Sequence, residues 1–141
     1  MESAQQYERL TPLKVIAVPG GDVKHALKAS ETDFCGFGEA YFSSVTSGTI
    51  KGWKLHTQMT CNLIVPIGLV KFVVGLPETG FEEYVIGEGA HGRLTIPSGL
   101  WFAFQGVAEK DSLVLNISDI VHEPSESKKC DLDSFDYKWE C

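Results

Sequence analysis

The segment Lys51-Gly52-Trp53-Lys54-Leu55-His56-Thr57-Gln58 alternates as a strand does. Lys54, His56 and Gln58 then share one face, and Trp53, Leu55 and Thr57 take the other. An ammonium, an imidazole and an amide in line make a poor dry core and a good wall for a polar ligand pocket. Histidine suits proton transfer near neutrality because its unperturbed pKa is about 6.5. A lone histidine also has a plainer reading, as a satisfied core or surface group. The next strand begins after a very short turn and brings Asn62 within reach of the same pocket.

The elements that must position these residues read as short strands. Fourteen glycines and six prolines punctuate the chain, the pattern of an all-β sandwich or barrel. Strands are expected over residues 13–18, 38–45, 50–57, 62–67, 70–76, 83–86, 92–96, 101–105 and 112–117. In the last of these, Leu113, Leu115 and Ile117 share a face that is expected to point inward. One short helix is expected over 23–29, with Asp22 as its cap and Val23, Ala26 and Leu27 on one side. The final twenty residues are polar and acidic but carry Phe135, Tyr137 and Trp139, so this tail is expected to fold back onto the body.

Bulk properties bound the function classes. A length of 141 residues suits one domain, residues 1–141, with a real core. Twelve Lys plus Arg against nineteen Asp plus Glu give a formal charge of −7, which argues against a nucleic-acid partner. A local basic pocket built on Lys51 and Lys54 is still compatible with that balance. The longest apolar run spans only 63–70 and contains Pro66 and Gly68, too short to cross a membrane. The four cysteines, Cys35, Cys61, Cys130 and Cys141, are scattered without a C-x-x-C pair. With no apolar leader at the start, they read as reduced structural thiols of a cytoplasmic protein, not as metal ligands.

A P-x-G corner, Pro97-Ser98-Gly99, downstream of a strand with a pocket histidine resembles a cupin jelly roll. Metal-binding cupins hold their ion with an H-x-H pair, a carboxylate and a histidine after the corner. Here those places read His56-Thr57-Gln58 and Phe102, which implies a metal-free member. The order of further motifs is similar to the dTDP-4-dehydrorhamnose 3,5-epimerases and their shorter nucleotide-sugar relatives. Gly36-Phe37-Gly38-Glu39-Ala40-Tyr41 resembles that family's first long strand, and Gly48-Thr49-Ile50-Lys51-Gly52 with His56-Thr57-Gln58 its G-x-x-R-G-L-H-x-Q segment. Asn62 to Gly68 resembles its K-L-V strand, Ile96 through Phe104 its P-P-G corner, and Asp131-Leu132-Asp133-Ser134 its W-N-D-P segment.

The resemblance implies an all-β cupin jelly roll and a homodimer that exchanges an N-terminal strand. It implies epimerisation at C3, C5 or both of a 4-keto-6-deoxy nucleotide sugar, without cofactor or metal. Proton removal beside a ketone needs a base and a donor to the enolate. The family pattern puts the base at His56 and its orienting carboxylate at Asp133. Asn62 stands where the family has an enolate-stabilising lysine, with Lys54 or Lys71 as other sources of charge. Leu115 stands at the family's general-acid tyrosine, leaving Tyr41 or Tyr84 as donors, or a chemistry narrower than double epimerisation. Lys51 takes the place of a diphosphate-binding arginine. Gln58, Glu39 and Trp101 complete the expected substrate-binding set, Trp101 as a base-stacking group or else a core or dimer aromatic. The alternatives are a sugar 3,4-ketoisomerase and a sugar-binding cupin without chemistry.

Overall fold

A computed structural model describes residues 9–139. Twelve strands run in chain order: β1 Leu10–Pro12, β2 Val15–Ile16, β3 Val23–Lys24, β4 Glu39–Val45, β5 Ile50–His56, β6 Cys61–Ile67, β7 Leu69–Leu76, β8 Gly80–Gly87, β9 Gly92–Ile96, β10 Trp101–Gly106, β11 Ser112–Ser118 and β12 Ser127–Lys129. They form two five-stranded antiparallel sheets, ordered β1-β9-β6-β11-β4 and β12-β5-β10-β7-β8, with β2 and β3 as a separate ribbon. The two inner faces enclose a core that includes Val45, Leu63, Val65, Phe72, Val74, Leu94 and Ile96. Near-continuous apolar runs make β6 and β7, and Gly68 turns between them at φ +90°, with a hypothetical Cβ only 2.1 Å from Ser112 Oγ. This is the all-β sandwich expected from the punctuation of the sequence.

Two local expectations are corrected. The segment 23–29 is not a helix: Val23 pairs with Ile16, the His25 amide donates to the Lys14 carbonyl at 3.0 Å, and no α-helix occurs among the described residues. A seven-residue helix has little to offset its nucleation cost, and the β-branched Val23 favours the ribbon. Instead, the chain around it is tied down by Arg93, which is fully buried and donates to the Ala26 carbonyl at 2.6 Å and to both Asp33 oxygens at 2.9 and 3.0 Å.

Strand β11 also turns the other way round from its expected orientation. Ser112, Val114, Asn116 and Ser118 are its buried set, while Leu113, Leu115 and Ile117 are half-buried on the opposite, outer face. The interior of this wall is polar, so its alternation runs opposite to that of a dry core. Ser112 Oγ accepts from the Leu69 amide at 3.1 Å, and Ser118 Oγ donates to the Glu39 carbonyl at 3.1 Å.

The tail folds back as expected. Leu132, Phe135, Tyr137 and Trp139 pack with Trp53, Phe81 and Trp101 over the outer face of the β5–β10–β7–β8 sheet. Trp53 is the anchor: its ring lies 4.9 Å from Phe81 and 5.2 Å from Phe135, and its Nε1 donates to the Leu132 carbonyl at 3.1 Å. Lys71 sits over the Trp139 ring at 5.3 Å, so its charge belongs to this outer face.

Candidate active site

A cavity of about 640 Å³ opens between the two sheets, lined by Lys51, Lys54, His56 and Phe102 on one wall and Tyr41 and Asn116 on the other. Strand parity alone would put Lys51 and Lys54 on opposite faces. A β-bulge resolves this, because the β5–β10 register jumps from Lys54↔Phe102 to Gly52↔Ala103 and leaves Trp53 extra. The bulge sends Trp53 outward into the tail cluster while Lys51, Lys54 and His56 line the cavity. Gly52 is required there: its φ is +153° and a Cβ would stand 2.2 Å from the Ala103 Cβ.

His56 is 4% exposed, and its Nδ1 lies 2.9 Å from Oε1 of Glu126, itself 3% exposed. The other Glu126 oxygen accepts from the amides of Gln58 at 3.0 Å and Met59 at 2.8 Å. Burial pushes the Glu126 carboxyl up, but the bonds from His56 and these two amides outweigh it and hold the group below its ordinary value. A carboxylate only accepts, so it is Nδ1 that donates to Glu126, and in the neutral imidazole this tautomer leaves the lone pair on Nε2. The Phe102 ring lies alongside at 6.0 Å between centroids.

On the facing wall, Asn116 Nδ2 donates to the Tyr41 hydroxyl at 3.0 Å. Burial, partly opposed by this bond, raises the phenol above its ordinary value and keeps it protonated at neutral pH. Lys51, Lys54 and Lys129 face the cavity with Asp131, a locally cationic lining in an acidic protein.

Of the eight residues expected to form the catalytic and substrate-binding set, Lys51, Lys54 and His56 meet in this cavity, and five do not. Asp133 is exposed in the short 3-10 turn Leu132–Ser134; the carboxylate at His56 is Glu126, because β12 pairs with β5 and carries the preceding Pro124–Glu126 turn to the histidine. Asn62 points to the opposite face of its sheet and accepts from Thr95 Oγ1 at 2.6 Å, while Leu63 takes the cavity side. Strand β5 ends at His56, so Gln58 lies in the turn with an exposed side chain and contributes only its amide. Glu39 stands at the start of β4, outside the cavity lining. Trp101 packs outward, 5.3 Å from the Phe135 ring. Of the two tyrosines, Tyr84 is bound by Arg9 Nη1 at 3.3 Å away from the cavity, and Tyr41 lines it.

The donors do not suit a cupin metal. His56 Nδ1 is held by Glu126, Phe102 occupies the downstream histidine place, and among the described residues no group of three or more His, Cys, Asp or Glu side chains could hold an ion. Cys61 is buried beneath the site and pushed up to about 12 by that burial, a thiol without nucleophilic character.

No family model matches the chain, and no curated protein does. Solved structures do. A dTDP sugar isomerase from Desulfovibrio desulfuricans is 32% identical, over 92% of this chain and 88% of its own, with a TM-score of 0.87. A sugar 3,4-ketoisomerase from Thermoanaerobacterium thermosaccharolyticum, solved with TDP, is 18% identical over 84% and 85%, with a TM-score of 0.71. A 4-keto-6-deoxy sugar epimerase from Streptomyces spheroides is 12% identical over 94% and 74%, with a TM-score of 0.81. At those identities, the last two show a shared fold. The first, with a matching length and nearly a third of its residues in common, shows that the chain belongs to the dTDP-4-dehydrorhamnose 3,5-epimerase-like family of dTDP-sugar epimerases and isomerases.

Proposed function

We propose that the protein epimerises a 4-keto-6-deoxy sugar carried on dTDP, at C3 or C5. The observation that carries this reading is the facing of two proton-handling groups across one cavity: the buried His56–Glu126 pair on one sheet and Tyr41 on the other. His56 Nε2 takes the proton from the carbon beside the ketone, and Glu126 stabilises the imidazolium that forms. Electron density moves to the ketone oxygen, where Lys54 supplies positive charge. Tyr41 returns a proton to the opposite face of the ring, and the configuration inverts. Lys51 and Lys129 suit the diphosphate as point charges. A 3,4-ketoisomerase shares the first step, removal of the C3 proton, but must then lose the O3 hydrogen and protonate C4, so the final position of the ketone separates the two readings.

Pairing in solution as a homodimer belongs to the same reading. Its support is apolar surface on the outer face of β4 and β11, where Phe42 is 65% exposed beside Leu115, and on the β2–β3 ribbon, where Val15, Ile16 and Val23 are exposed. Light scattering at micromolar concentration gives twice the chain mass if this is correct. For the activity, purified protein is incubated with dTDP-4-keto-6-deoxyglucose in deuterated water and followed by NMR. Deuterium at C3 or C5 with inversion supports epimerisation. A ketone moved to C3 supports isomerisation, and no label with any 4-keto nucleotide sugar refutes both.

A further inference from the structure

Asn116 is 5% exposed, lines the cavity, and stands on a central strand of its sheet. Its two amide protons have acceptors: the Tyr41 hydroxyl at 3.0 Å and Cys61 Sγ at 3.6 Å. Its Oδ1 is buried with no hydrogen-bond partner among the described residues. A buried acceptor left unmet is costly, so a group of this kind beside a ligand cavity calls for a donor from the ligand. A sugar ring offers hydroxyl donors at the right scale, and the ring is the part of the ligand that must lie between His56 and Tyr41.

We propose that Asn116 is the sugar-reading residue of this site: Oδ1 accepts a hydrogen bond from a ring hydroxyl, while Nδ2 holds Tyr41 with its proton turned toward the same ring. Because Nδ2 donates to the phenol oxygen, the phenol hydrogen is not used on Asn116. It is free for the substrate. One amide thus couples recognition of the hydroxylated sugar to the aim of the proton donor. The inference builds on the nucleotide-sugar reading above, but it makes a binding statement that stands apart from turnover.

The test is titration calorimetry with dTDP and dTDP-glucose on the full chain, comparing wild type, Asn116→Leu and Tyr41→Phe. The readout is the ratio of the two affinities, which isolates the sugar from the nucleotide. Wild type is expected to favour dTDP-glucose. Asn116→Leu is expected to cut that ratio by about tenfold, the effect of leaving a ring hydroxyl unpaired, with dTDP affinity unchanged. Tyr41→Phe is expected to keep the ratio within about twofold while losing deuterium inversion, since Oδ1 is untouched. If the leucine variant does not fold, Asn116→Val, suited to a strand, replaces it. An unchanged ratio in the Asn116 variant, or no preference for dTDP-glucose in wild type, overturns the inference. A preserved ratio effect with no deuterium incorporation in wild type refutes the epimerase reading alone.

Discussion

The two walls of the cavity are built on different principles. The β5 wall holds His56 by a buried carboxylate that is itself fixed by two main-chain amides and by the pairing of β12 with β5. The β4–β11 wall holds its phenol through one side-chain amide. The first arrangement is over-determined and tied to the fold of the tail. The second leaves Tyr41 partly exposed, with one side-chain bond to its hydroxyl. A base must be oriented before the substrate arrives, whereas a donor that acts on the opposite ring face can be completed by the substrate itself.

This contrast can be broken at the β5 wall. His56→Ala is expected to lower deuterium incorporation by about 10³-fold, the upper part of the range for a lost general base. An effect below tenfold would remove His56 from the mechanism. Glu126→Gln is expected to slow turnover by about 10²-fold, because a neutral amide neither fixes the tautomer nor stabilises the imidazolium.

The same Glu126 substitution sharpens the stability side. The Glu126 carboxyl is held below its ordinary value of 4.5, so its contribution to folding is fully present above that pH and fades as pH falls through its lower folded value. Wild type is therefore expected to lose its advantage over Glu126→Gln only on the acid side, read as converging melting temperatures below about pH 4.5. A gap that stays constant down to pH 3 would deny Glu126 this role. Asp133→Asn, which changes an exposed carboxylate in the tail, is expected to leave rates within about twofold. A loss comparable to that of Glu126→Gln would reinstate Asp133.

The β5 wall was the more legible one. Alternation placed Lys54 and His56 on one face, and punctuation by glycine and proline marked most strand limits. What periodicity does not carry is a bulge: nothing in the sequence announces that Trp53 is the extra residue that returns Lys51 to the cavity side. On β11 the apolar residues Leu113, Leu115 and Ile117 took the outer face because the interior there is a polar cavity, and a shift of parity by one residue exchanged Leu115 for Asn116. Asn62 followed the same rule on β6, its neighbour Leu63 facing in. Glu126 was hidden for another reason. Several carboxylates follow the last long strand, and only the long-range β12–β5 pairing selects which one reaches His56. The Glu-Pro-Ser-Glu stretch that becomes its turn was the one local sign available.

In the proposed mechanism inversion needs both walls, and Tyr41→Phe measured in deuterated water removes the far one alone. NMR of the 4-keto sugar separates label from inversion. With His56 intact and the donor gone, label is expected to enter on the original face while inversion falls by about 10²-fold. Inversion at the wild-type rate in Tyr41→Phe would contradict the two-walled account.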